Sequence, residues 1–192
     1  MIKLRLEIFS TDQFFFKTPD HLPTCYERDS RDCCYQGGPI YNDAASSFIW
    51  VGNQFSVGSN GTAMSKSLLE KSLWNQASGE VSHYHVDNGI FTATEYRHGC
   101  NKKGHSKIFS GVGAQHQTAR SECYIQTVMY MVRACVVHAL LHWSERVSYG
   151  LYLWYLTAKH LVWLYNRLSS KESGLNTLES LTKTKSYHCN LL

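Results

Sequence analysis

The stretch "HYHVDNGIF", His83 to Phe91, decides how the chain is read. Before Asp87 the residues alternate as in a strand, with His83, His85 and Asp87 on one face. Asp-Asn-Gly is also a tight-turn signal, because Asn and Gly both tolerate positive φ. Two readings are open. The tripeptide joins two hairpin strands, or Asp87 stands at a strand tip where a carboxylate is needed.

Working outward, "KLRLEIF" (Lys3 to Phe9) alternates and predicts a first strand ending near Asp12. Lys17 to Pro39 reads as a polar loop holding all three prolines. "IYND" and "SSFIWV", followed by "QFSV", predict two further strands. Gly61 to Gln76 has Leu68, Leu69 and Leu73 at helical spacing, with Ala63 and Met64 before them and Gly79 after. "EVSHYHVD" predicts the fourth strand, "TATEYRHGCNKKG" a short helix closed by Gly104, and "HSKIFSG" a fifth strand. Ser121 to Trp143 predicts a long apolar helix with Ser121 as N-cap, and Val147 to Leu168 a second. Three strands, then helix, strand, helix, strand and helices imply a mixed five-stranded α/β sheet flanked by helices. Residues after Ser169 are polar and read as a loosely ordered tail.

Composition bounds the class. The 192 residues are 43% hydrophobic and 18% charged, which suits one globular domain and excludes a disordered chain. A net charge of +4 permits a polyanionic partner without demanding one. "MIKLRLEIFSTD" lacks the apolar stretch of a signal peptide. No consecutive run reaches the ~18 apolar residues of a membrane span, so no membrane partner is expected. Seven cysteines without CxxC spacing point to a reduced, intracellular compartment.

The acids then stand out. Asp12 closes the first predicted strand, Asp87 closes the fourth, and Glu122 opens the helix after the fifth. Mg²⁺ prefers oxygen ligands and keeps water positions for phosphates. Three carboxylates at element ends suit a two-metal phosphoryl-transfer site. Glu122 is also favoured at a helix N-terminus.

Five stretches carry a resemblance: "GGPIYNDAASSFIWVGNQFSV", "HYHVDNGIFTATEY", "FSGVGAQHQTARSE", "VRACVVHALLHW" and "LYLWYLTAKHLVWLYNRL" with "SGLNTLES". Together, in collinear order from about Thr11 to Leu181, they resemble the integrase catalytic core of copia-type LTR retrotransposons, relatives of retroviral integrases. The resemblance implies a ribonuclease H-like fold over residues 1–170, with a polar tail over 171–192. It implies DNA integration: 3′-end processing and strand transfer by a D-D-E triad with two Mg²⁺ or Mn²⁺ ions. The family's "DNG" acid corresponds to Asp87, and its last acid to Glu122 in "GVGAQHQTARSE". The first acid is assigned to Asp12 in "TDQ", because the first strand neighbours the fourth in this fold; Asp43 in "YNDAAS" is the alternative. The implied partners are element and target DNA and further copies of the chain. The implied location is the nucleus or a cytoplasmic particle.

The sequence also departs from the family pattern. "QNG" reads Gln117, Thr118, Ala119, and Ala restricts a loop where Gly tolerates positive φ. Cys123 follows the last acid where the family has Arg, and Ser144 and Tyr155 replace expected prolines. The family's preceding zinc-binding domain has no counterpart in the sequence. The chain is therefore expected to be a fragment or degenerate copy whose activity is open. His116 and Gln117 resemble family residues near the DNA end. Arg97, Lys102, Lys103, Lys107 and Arg133 are candidates for a DNA-facing surface, or form a solvated basic face. His83 with His85 has the spacing of a zinc pair. His138 and His142, at i and i+4 without the acid of an HExxH motif, read as helix-packing residues.

Overall fold

A computed structural model describes residues 4–21, 34–111, 119–142, 154–170 and 173–185. The strands are β1 (Leu4–His21), β2 (Cys34–Asp43), β3 (Ile49–Val51), β4 (Gly79–Val86) and β5 (Ser106–Phe109). The helices are α1 (Ser59–Ala77), α2 (Thr94–Lys102), α3 (Ala119–His142), α4 (Trp154–Tyr165) and α5 (Thr177–Thr182).

The sheet order is β3-β2-β1-β4-β5. β1, β2 and β3 form an antiparallel meander, and β4 and β5 add parallel to β1. This is the mixed five-stranded sheet flanked by helices that the element order predicts. Parallel strands need crossovers, and α1 and α2 supply them. Each face has its own core. Phe9, Tyr41, Tyr84, Leu69, Leu73 and Tyr96 fill one side beneath α1 and α2. Phe14, Ile40, Ile49, Val128, Val132 and Trp154 fill the other beneath α3 and α4.

Several expectations change. β1 does not end at Asp12 but continues to His21, paired with β2. What ends there is its pairing with β4, whose last partnership is Thr11 with Val86. Strand therefore replaces both ends of the predicted polar loop, because extended hairpin arms satisfy their own backbone groups; residues 22–33 lie outside the described set. "QFSV" contributes only one bridge, Gln54 to Gly37, and no strand. On α1, Leu69 and Leu73 are buried but Leu68 is 50% exposed, and the inward face carries Lys66 and Glu70 instead. Their mutual ion pair lets both charges face the interior.

The helix after β5 starts at Ala119, so Ser121 is not the N-cap but a buried first-turn residue. α3 is also the one described helix long and apolar enough to cross a membrane by length and composition. Counting consecutive apolar residues missed this, because Arg133 and His138 interrupt the run. In the fold α3 covers the sheet and packs against α4.

The segment read as a polar tail contains α5, started by a capping box in which Asn176 and Glu179 satisfy each other's backbone N–H groups. Leu181 is 2% exposed within the α1-side core. Thr177 and Asn166 hold this segment to the end of α4. Two polar-rich turns thus hide one apolar anchor, too short a pattern for periodicity to register.

Candidate active site

Asp87 is the first residue past β4, and no hairpin succeeds it. Gly89 has φ −75°, so the turn uses no left-handed backbone there. The chain enters a 3-10 turn, Ile90–Thr92, fastened by Thr92 Oγ1 donating to the Gly89 carbonyl at 2.8 Å. Asn88 donates from Nδ2 to the Ser110 carbonyl at 2.6 Å, tying the loop to the end of β5. The Asp-Asn-Gly turn is therefore a strand-to-helix exit, which leaves Asp87 exposed at the tip.

Asp12 lies alongside. Thr11 pairs with Val86 on neighbouring parallel strands, and one residue beyond each stand Asp12 and Asp87. The Gln13 N–H donates to Asp12 Oδ1 at 2.7 Å, and Gln13 Nε2 donates to Thr62 near the start of α1 at 2.8 Å. Burial raises the Asp12 carboxyl above its ordinary value; the Gln13 N–H opposes this, and the charges of Asp87 and Glu122 add to the rise. The acids of the β4 tip and of α3 thus both bear on the one at β1.

Glu122 sits in the first turn of α3, exposed, and that turn is anchored on both sides of it. Arg120 donates from Nη1 to the Ala44 carbonyl at 2.9 Å. The buried Ser121 hydroxyl donates to Asn42 Oδ1 at 3.3 Å. Both acceptors flank the end of β2, so α3 starts at a fixed place relative to the sheet. Sequence reasoning missed Arg120, Ser121 and Asn42 as positioning residues; for Arg120 and Ser121 the available signal was their place just before Glu122.

Asp43 has a different task. It is 2% exposed, and its Oδ2 accepts the Ser46 N–H and hydroxyl, each at 2.7 Å. Its carboxylate closes the β2–β3 turn. β2 also lies on the far side of β1 from β4, so Asp43 is one strand further from Asp87 than Asp12 is.

Three carboxylates form a hard, all-oxygen donor set, and their mutual repulsion is the charge environment a divalent cation relieves. In donor chemistry the residues fit Mg²⁺ or Mn²⁺. Among the described residues, no three His, Cys, Asp or Glu side chains converge closely enough to share one ion. The same holds for a zinc site at His83 and His85.

The other predicted site residues are not gathered here. His116 and Gln117 lie outside the described residues. Lys102 and Lys103 sit at the end of α2, and β5 restarts beside His83, so both lie toward the opposite end of the parallel strands from Asp87. Lys103 Nζ pairs with Glu70 at 2.6 Å, and Lys107 Nζ reaches Asn101 at 2.5 Å. Arg133 projects from α3, on the other side of the sheet from α2. The basic residues therefore form no single surface around the acids. A cleft of about 820 Å³ opens near Lys103, lined also by Trp74, His83 and His105, and none of the three acids lines it.

No protein-family model matches the chain, and no curated protein does. Solved structures do. The HTLV-2 integrase catalytic core domain in complex with magnesium matches in its trimeric form with TM-score 0.60 and 15% identity, over 92% of this chain and 96% of that one. Its dimeric form matches with TM-score 0.60 and 16% identity, over 93% and 97%. A simian T-cell lymphotropic virus intasome in complex with the PP2A regulatory subunit B56 gamma matches with TM-score 0.59 and 14% identity, over 93% of this chain and 55% of that one. With the sheet order and the helices on both faces, these likenesses establish that the chain has the ribonuclease H-like fold of integrase catalytic cores.

Proposed function

We propose that the chain is the catalytic core of a copia-type retrotransposon integrase, with α5 packed into the same core rather than appended to it. Its reaction is 3′-end processing of element DNA and transfer of that end to target DNA. One observation carries the reading: Asp12 and Asp87 lie side by side where the β1–β4 pairing ends, and Asp87 and Glu122 both raise the Asp12 carboxyl. Carboxylates that repel one another gain from a shared cation.

On this reading Asp12, Asp87 and Glu122 hold two Mg²⁺ or Mn²⁺ ions, which supply charge stabilisation to the attacking and leaving oxygens of a phosphodiester. The chain's own contribution is placement. Gln13 fixes the Asp12 carboxylate, Asn88 fixes the turn that presents Asp87, and Arg120 with Ser121 fixes the helix start that presents Glu122. Magnesium in the HTLV-2 core, and that core's dimeric and trimeric forms, support the metal and a homo-oligomer. Nuclear or cytoplasmic-particle residence belongs to the same reading.

The test uses purified protein, Mn²⁺ and a duplex mimicking an element end. Nicked and joined DNA products are expected, and Asp87→Asn abolishes them. Products that survive this change sink the assignment of Asp87. A second reading, a DNA-binding or structural remnant without activity, is favoured by the absence of a converged three-donor cluster among the described residues. It predicts no measurable Mg²⁺ or Mn²⁺ affinity, which calorimetry decides.

A further inference from the structure

Near the C-terminal end of α3, His138 and His142 lie at i and i+4, one turn apart on a single helix face. Both are exposed, and neither belongs to either core cluster. Their ring centroids are 4.3 Å apart and the planes are tilted by 46°. Two nitrogens bound at about 2.1 Å to one tetrahedral ion stand roughly 3.4 Å apart. Rings this close span that gap with small side-chain rotations.

We propose that His138 and His142 form a two-histidine chelate for a borderline transition-metal ion, of the Cu²⁺, Ni²⁺ or Zn²⁺ class. Imidazole suits these ions, whereas carboxylate and water suit Mg²⁺ and Mn²⁺. His142 lies in the last described turn of α3, where the backbone dipole favours positive charge. Cys135 lies one turn before His138, but no three such donors gather among the described residues. Among the described residues the chelate therefore has two protein donors, with coordination positions left for water or a further ligand. At a rise of 1.5 Å per residue, His142 lies about 30 Å along the helix from Glu122. One helix thus carries a hard donor at its start and two imidazoles at its end, so ligand type sorts two kinds of metal.

The experiment is calorimetric titration of the purified chain with NiCl₂ in saturating MgCl₂, paired with electron paramagnetic resonance at one equivalent of Cu²⁺. Nickel is expected to bind despite the magnesium, with Cu²⁺ binding more tightly. Either His138→Ala or His142→Ala weakens nickel binding by at least about tenfold, the cost that a lost outer-shell partner alone can carry. The Cu²⁺ spectrum shows coupling to two imidazole nitrogens in the parent and to one in each variant. His160→Ala, an exposed histidine on α4, changes neither readout. Circular dichroism checks that the surface variants stay folded. Undetectable nickel binding, binding unchanged in both α3 variants, or binding lost instead in Asp12→Asn each overturns the proposal.

Discussion

Asp12 on β1 and Glu70 on α1 are both carboxylates withdrawn from water, and the groups around them are opposite in sign. Glu70, 9% exposed on α1, receives Lys66 Nζ at 2.6 Å, Lys103 Nζ at 2.6 Å and the Tyr84 hydroxyl at 2.8 Å. His105 Nδ1 stands 3.4 Å away, and burial lowers its tendency to protonate. Burial alone raises the Glu70 carboxyl, but Lys103, Lys66 and Tyr84 outweigh it and the net shift is downward. The groups acting on Asp12 are burial, one backbone N–H and two further acids, and the net shift is upward. Glu70 has its cations built into the chain, so its charge is a structural element. The Asp12 group is short of positive charge, and an external cation is the simplest way to supply it.

The largest effect is expected where the built-in cations are. Glu70→Ala leaves Lys66, with 3% of its side chain exposed, as an uncompensated buried charge. The loss is about 3–5 kcal/mol, the scale for breaking a buried pair from one side, and urea unfolding measures it. A change below about 1 kcal/mol shows that water reaches the cluster and weakens the contrast. Asp12→Asn should act the other way round. It lowers DNA-joining activity by at least about 100-fold, the scale of losing one group that stabilises charge at a reacting centre. It leaves the melting temperature equal or higher, since it removes a repelling carboxylate. Mg²⁺ sharpens the difference further. At ten times its dissociation constant it stabilises the parent by about 1.4 kcal/mol. The gain vanishes in Asp12→Asn and persists, relative to the lower baseline, in Glu70→Gln.

The sequence made the sheet legible because strand and crossover lengths leave a period of two and a period of 3.6 that composition cannot hide. Asp87 was legible as a strand-tip acid. The hairpin reading failed because the local preference of Asp-Asn-Gly for a turn is the same whether a strand or a helix comes next. The Glu70 cluster was not legible. Lys66 and Glu70 look like an ordinary surface i,i+4 pair, and only the sheet, through Tyr84, turns that face inward. Leu68, with the same apolar character as Leu69, is left outside for the same reason: 100° of helix rotation separates them. Lys103 read as a DNA contact because charge is visible in a sequence and its partner is not. The anchoring of α3 by Ser121 and Asn42 joins residues 79 positions apart, beyond any local pattern.

The smallest expected effect is the most direct check on the contrast of sign. In Asp12 the folded carboxyl is raised, so between its unfolded value near 4 and the raised value the folded state binds more protons than the unfolded state. Stability falls as pH climbs through that window. In Glu70 the folded carboxyl is lowered, so its contribution is present above the unfolded value and disappears as pH drops through the folded one. The two groups therefore tilt the stability curve in opposite directions across the acidic range. Asp12→Asn removes the fall on the alkaline side of pH 4, and Glu70→Gln removes the loss on the acid side. Chemical denaturation at a series of pH values separates them. Excess Mg²⁺ should flatten the Asp12 limb alone, because a bound cation favours the ionised carboxylate. A limb that Mg²⁺ leaves unchanged would mean that the repulsion around Asp12 is relieved by something other than a metal.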